Sequence, residues 1–269
     1  VKKEGAATRL RLAAGNALLG WLLPLAIVAS WQAAAALELL NPILLPSPWT
    51  IVEEFAALAS SGEMLHHLGI SAWRALQGFV LGGGAGLLAG IWAGFSYRME
   101  RLVDPSIQVL RTLPHLVIAP LFILWFGFGE LSMVLIIAKG AFFPLYVNTF
   151  LGIRSVDSKL FDVARVLEFR RKDMILKLIV PAALPSILLG IRLSLGIAWL
   201  SLVVAEMMGA SSGFGYLIMD ARSFSITSLV IVGIIVFALV GKLSDSLVKM
   251  LERRLLSWQD TYKAEAVKG

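Results

Sequence analysis

The stretch LIVPAALPSILLGIRLSLGIAWLSLVVA, residues 178–205, carries a single charge, Arg192, over a length greater than a bilayer requires. A helix rising 1.5 Å per residue crosses about 30 Å of hydrocarbon in roughly 20 residues. Lipid offers no partner to backbone N–H and C=O groups, so such a segment satisfies them internally as a helix. A transmembrane β-barrel is excluded: it needs segments of about ten residues with alternating polarity, and the chain has none.

Five similar blocks lie around it. Blocks 18–37, 75–97 and 223–241 are uncharged, 112–129 contains only His115, and 131–153 contains only Lys139. The chain therefore reads as all-α and polytopic, with six transmembrane helices. Its 269 residues are 58% hydrophobic and 16% charged, with a mean hydropathy of +0.81, which excludes an ordinary soluble domain. The absence of cysteine excludes a disulfide framework, thiolate metal sites and cysteine nucleophiles. The first block has the basic lead and small residues of a cleaved signal, but its uncharged core exceeds the roughly 7–15 residues of a signal h-region and favours an uncleaved helix.

Basic residues set the orientation. Nineteen of the 24 fall in segments that an even number of spans places on one side: before block one, between blocks two and three, in the loop 154–177, and after block six. The opposite side shows Arg222, and residues 41–71 contain no Lys or Arg. Both termini are thus expected in the cytoplasm, with 1–17 as an N-terminal segment, 18–247 as the membrane domain and 248–269 as a tail. The net charge of +6 is a topology signal and does not imply nucleic acid.

Two loops and one block invite a role. After block one, Pro48 suits a first helical turn, or Thr50 with Glu53 forms a capping box; the helix presents Ile51, Phe55 and Leu58 on one face, for packing or for an external partner. Gly82, Gly86, Gly90 and Gly94 form a four-residue ladder that lets another helix approach closely, from this chain or from a second copy. In the loop 154–177, Phe161, Ala164, Leu167 and Phe169 put an apolar stripe on a short helix. Such a loop docks a cytoplasmic partner or lies on the inner lipid surface.

Charge inside a membrane is costly and usually functional. Arg192 lies near mid-depth and either attracts an anionic substrate or pairs internally, with Glu206 or a helix carbonyl; Lys139 either snorkels or meets substrate. Trp199 and Asn148 line a pathway or serve packing. No catalytic constellation is present, and adjacent His66 and His67 diverge by about 100° on a helix, which excludes a one-face metal pair. Gly241-Lys242 ends like a phosphate-binding loop, but Leu243 and Val236 stand where that motif needs Ser or Thr and Gly.

Asp162-Val163-Ala164-Arg165 through Pro181-Ala182-Ala183-Leu184-Pro185-Ser186-Ile187 resembles the EAA loop of binding-protein-dependent ABC importer permeases. Leu110-Arg111-Thr112-Leu113-Pro114-His115, Ile123-Leu124-Trp125-Phe126-Gly127, Gly152-Ile153-Arg154-Ser155-Val156-Asp157 and Gly213-Phe214-Gly215-Tyr216 extend the resemblance to the sulfonate, nitrate and taurine group, most closely the aliphatic sulfonate permeases. The resemblance implies a type I ABC importer permease fold in a bacterial plasma membrane and a pore of two copies. It also implies two ATPase partners that bind ATP and Mg, an extracytoplasmic sulfonate-binding protein, and no cofactor or covalent chemistry in this chain. It assigns ATPase coupling to Phe161, Asp162, Val163, Ala164, Arg165, Leu167, Glu168 and Phe169; the expected substrate pathway, at Arg192, Trp199, Glu206, Asn148 and Lys139, rests on the intramembrane charges and residue types above. The sequence departs from the family pattern at Asp162, in place of Glu, and at Glu168, in place of a glycine that forms the sharp turn without a Cβ penalty.

Overall fold

The computed structural model describes residues 21–256, with the side chains of 115 and 116 left undescribed. The expected segment 1–17, the start of the first block and the end of the tail lie outside the described residues. Among the described residues all regular structure is helical: α1 (Trp21–Ala36), α2 (Pro48–Ser60), α3 (Glu63–Phe95), α4 (Tyr97–Arg111), α5 (His115–Phe126), α6 (Glu130–Arg154), α7 (Ser158–Val166), α8 (Arg171–Gly209), α9 (Phe214–Ser223) and α10 (Thr227–Leu255). Helices α3, α6, α8 and α10 are long and apolar enough to span a membrane, while α1 and α5 are shorter apolar helices. The long helices overrun the apolar blocks, because helix formation continues into polar sequence until a cap stops it; α10 passes unbroken through the 247/248 boundary.

The chain divides into two compact units. One holds the residues up to Met64 with Ile218–Ile234, the other Leu65–Leu217 with the residues from Ile235 onward. In the first unit, Ser47 caps α2 by accepting from the Thr50 amide and Pro48 occupies the first turn, so the proline reading holds and Thr50 is not the cap. Ile51 and Leu58 are buried as the periodicity predicts, with Phe55 half-buried. Thr227 ties to this unit by donating to the Ile43 carbonyl.

The second unit is built around α6, half buried along its most apolar window. One face of α6 meets the glycine ladder of α3. A Cβ at Gly82 would lie 1.9 Å from the Ala138 carbonyl oxygen, and one at Gly86 2.3 Å from that of Phe142. The ladder's partner is therefore a helix of the same chain, held by backbone-level contact. The opposite side of α6 meets α8 through further small residues: Gly140 faces Ser201, Gly152 faces Ser186, and Ser194 Oγ donates to the Ala141 carbonyl at 2.6 Å. Close approach of this kind supplies the van der Waals contact that drives helix association where hydrophobicity cannot.

The expected third span, 112–129, is corrected. Its helix, α5, has 12 residues, or about 18 Å, too short to cross alone. The crossing instead starts at Tyr97, and α4 and α5 together run antiparallel to α6. Arg154 at the end of α6 lies over the Tyr97 ring, Tyr146 donates to Asp104 at 2.9 Å, Ile107 packs with Phe143 and Tyr146, and Ala119 packs with Met133 and Ile136. Thr112, Leu113 and Pro114 break the crossing between these levels, since the residue before a proline disfavours helix. The apolar-block reading missed α4 because it is strongly amphipathic, with Arg98, Arg101, Asp104, Gln108 and Arg111 along 15 residues.

Candidate functional site

The loop between α6 and α8 forms the first candidate site. Asp157 caps α7 by accepting from the Lys159 amide at 2.9 Å. At its other end Glu168 N donates to the Arg165 carbonyl at 3.0 Å and Phe169 N to the Ala164 carbonyl at 2.9 Å. These two bonds make a Schellman motif, whose pivot residue takes the left-handed conformation that glycine usually fills. That pivot is Glu168, at φ 52°. The sharp turn forms without the family's glycine.

The predicted apolar stripe divides. Ala164 is 3% exposed, and Phe161 packs with Ile153, Ile179 and Ala183 at the ends of α6 and α8. Both face the chain's own core. Leu167 is 60% and Val166 82% exposed, with Val163 and Leu160 also on the outer surface. Asp162 and Arg165 pair at 3.2 Å on the outside, where such pairs contribute little, and Phe169 takes Lys177 over its ring. The element thus offers an outward patch of aliphatic side chains on a rigidly capped helix.

The residues expected along a substrate pathway do not converge. Glu206 is buried with no exposed side-chain surface, and its carboxylate accepts from Arg74 Nη1 at 2.9 Å, Ser71 Oγ at 2.8 Å and the Gly215 amide at 2.8 Å. Arg74, 1% exposed, commits all five of its N–H groups: to Glu130 through Nε at 2.8 Å and Nη2, to Glu206, and to the carbonyl and hydroxyl of Ser212. This cluster joins α3, α6 and α8 to the segment that opens α9. Removing one partner of a buried pair costs about 3–5 kcal/mol, so these residues are structural in this conformation. Gly213 fits by being close as well as left-handed: at φ 106°, its Cβ would lie 2.2 Å from Glu206 Oε1.

Arg192 does not pair with Glu206, which lies fourteen residues on along the same helix, about 21 Å away. Its partner is Asp245 on α10, which also takes Lys249 at 2.9 Å. Trp199 lies near the same strip of α10, donating from Nε1 to Ser244 Oγ at 3.0 Å. Lys139 donates to the Leu113 carbonyl at 2.5 Å, at the break between α4 and α5, and Asn148 donates from Nδ2 to the Pro144 carbonyl at 2.8 Å. Sequence reasoning missed Arg74, Ser71 and Glu130. Periodicity carries no trace of a pair separated by 132 residues, and Arg74 precedes the apolar block by one position.

Comparison with known proteins matches this architecture. Residues 86–257 fit the model of the binding-protein-dependent transport system inner membrane component family. The chain is 62% identical over 91% of its length to the putative aliphatic sulfonates transport permease protein SsuC of Bacillus subtilis (strain 168), covering 88% of that protein. It is 48% identical over 90% of its length to the protein of the same description in Escherichia coli (strain K12), covering 92% of that one. Among solved structures it resembles a chain of the MetNI methionine ABC transporter, seen in inward-facing conformations, with a TM-score of 0.52, 15% identity, and 70% of this chain and 97% of that chain covered. That likeness shows the fold: helical, of the type I ABC importer permease class. With a family match over most of its length and close relatives over nearly all of it, the chain belongs to the binding-protein-dependent transport system inner membrane components, as a membrane permease of the sulfonate, taurine and nitrate group.

Proposed function

We propose that this chain forms one of two identical permease halves of an ATP-driven importer that accepts an aliphatic sulfonate from an extracytoplasmic binding protein and releases it into the cytoplasm. Two ATPase subunits supply ATP and Mg chemistry. Both termini and α7 face the cytoplasm, and the basic residues that flank the spans meet inner-leaflet lipid. The observation that carries this reading is α7: a capped helix joining two long spans and presenting Leu160, Val163, Val166 and Leu167 outward. An apolar patch on such a connector suits a cleft on another protein, and the short linkage to α6 and α8 passes a displacement of that protein into the bundle.

The test is Val166→Asp in the complete transporter with its ATPase and binding protein, reconstituted in vesicles. ATP-driven uptake of an alkanesulfonate should fall at least about tenfold, the scale of losing one central interface contact, while the permease still folds. Undiminished uptake would remove α7 as the docking element. The identities to the two sulfonate permease relatives favour sulfonate; uptake restricted to taurine or nitrate instead would keep the coupling assignment and change the cargo.

A further inference from the structure

Three cationic side chains of the described long helices have partners: Arg74 in the buried cluster, Arg192 on Asp245, and Lys139 on the Leu113 carbonyl. Arg111 differs. Among the described residues its guanidinium makes no ion pair and no hydrogen bond. It ends α4 at the break in the third crossing and lines a cavity of about 310 Å³ with Gly140, Phe143, Pro144, Asn148 and Leu193.

The depth of this cavity follows from its wall. Gly140 and Pro144 lie ten to fourteen residues from either end of the 25-residue α6, so roughly 15–21 Å from each end along the helix. Arg111 is exposed on the open side of this cavity, so its guanidinium is reachable from outside the chain, and a cation at such a depth marks a substrate pathway by default. The cavity's chemistry has two halves. Arg111 offers a planar fork of donors, and the second N–H of the Asn148 amide, beyond the one spent on Pro144, is free to join it. Phe143, Leu193 and Ile197 supply apolar wall, and the Lys139 ammonium lies 5.7 Å from the Phe143 ring on that same wall.

We infer that Arg111 and Asn148 form an intramembrane subsite that receives the charged head of a small anion with an apolar body, the head as an oxyanion on the guanidinium and the body against Phe143 and Leu193. An alkanesulfonate has this form, with three equivalent oxygens for the fork. The identity of the anion rests on the function proposed above; the placement of the charge does not. Substrate charge is thereby met at Arg111 rather than at Arg192, whose guanidinium is already engaged by Asp245.

The experiment uses the complete transporter in vesicles and measures ATP-driven uptake of an alkanesulfonate, taurine, nitrate and a neutral solute for wild type, Arg111→Gln and Arg111→Lys. Arg111→Gln should lower anion uptake about tenfold or more, the effect of losing one hydrogen bond to a charged group, with two-copy assembly and basal ATPase activity retained. Arg111→Lys should restore part of the loss. Undiminished uptake by Arg111→Gln overturns the subsite, as does loss of the two-copy assembly, which would make Arg111 an inter-copy contact. If wild type imports taurine or nitrate and not the alkanesulfonate, the aliphatic sulfonate reading falls while the Arg111 comparison still decides the subsite. Import of the neutral solute alone defeats both.

Discussion

Glu168 occupies a left-handed position, φ 52°, that its side chain disfavours by about 1–2 kcal/mol. The Schellman bonds at 3.0 and 2.9 Å hold it there, because relaxing it would strand the Arg165 and Ala164 carbonyls at the end of α7. Glu168→Gly removes the Cβ strain and returns part of the gain as unfolded-chain entropy, so we expect a net stabilisation of about 1 kcal/mol. A thermal scan of the purified permease should show a melting point higher by a few degrees; an unchanged or lower one would mean that the turn relaxes around Glu168. The departure from the family pattern was legible in sequence, as was the need for a turn there. That the turn survives with its geometry intact required the backbone.

The ladder on α3 shows what spacing alone conveys. Four glycines at four-residue steps announce a close helix neighbour, but the same spacing serves a partner from another copy. The backbone contact with α6 decides it, and it separates ladder glycines from their neighbours: a Cβ at Gly82 strikes the Ala138 backbone, whereas one at Gly84 meets nothing within 4 Å. Gly82→Ala should therefore destabilise by about 1–3 kcal/mol through overpacking. Gly84→Ala should be neutral or stabilise by up to about 1 kcal/mol through helix propensity. Chemical denaturation of both variants in one detergent checks the pair, and equal responses would contradict the α3–α6 contact. The broken third crossing is the element that apolar blocks conceal. Half of it is amphipathic: Asp104 accepts from Tyr146, and Arg111 lines the cavity beside α6.

For the whole molecule, the cysteine-free sequence makes orientation directly measurable. Ser158 opens α7 and Ser211 lies between α8 and α9; both are exposed. With α7 on the cytoplasmic side, a membrane-impermeant maleimide should label Ser211→Cys in intact cells and Ser158→Cys only in inverted vesicles. The reverse pattern would overturn the orientation drawn from the basic residues. One odd-numbered crossing separates the two sites along α8, so the two labels check each other.

Length and apolar content by themselves determined that the chain is a helical membrane protein, because lipid leaves the backbone few other ways to satisfy its hydrogen bonds. The loop strings pointed to the family, and the glycine spacing announced a tight helix pair. Only the tertiary structure decided which charges are spoken for. Arg192 and Glu206 share a helix and an apparent complementarity, yet the first pairs with Asp245 and the second with Arg74. The reason is physical: an ion pair inside the bundle depends on which helices approach at which depth, and neither composition nor periodicity encodes that. The same reason leaves the Arg111 guanidinium without an ion pair or a hydrogen bond among the described residues, which its sequence position does not reveal.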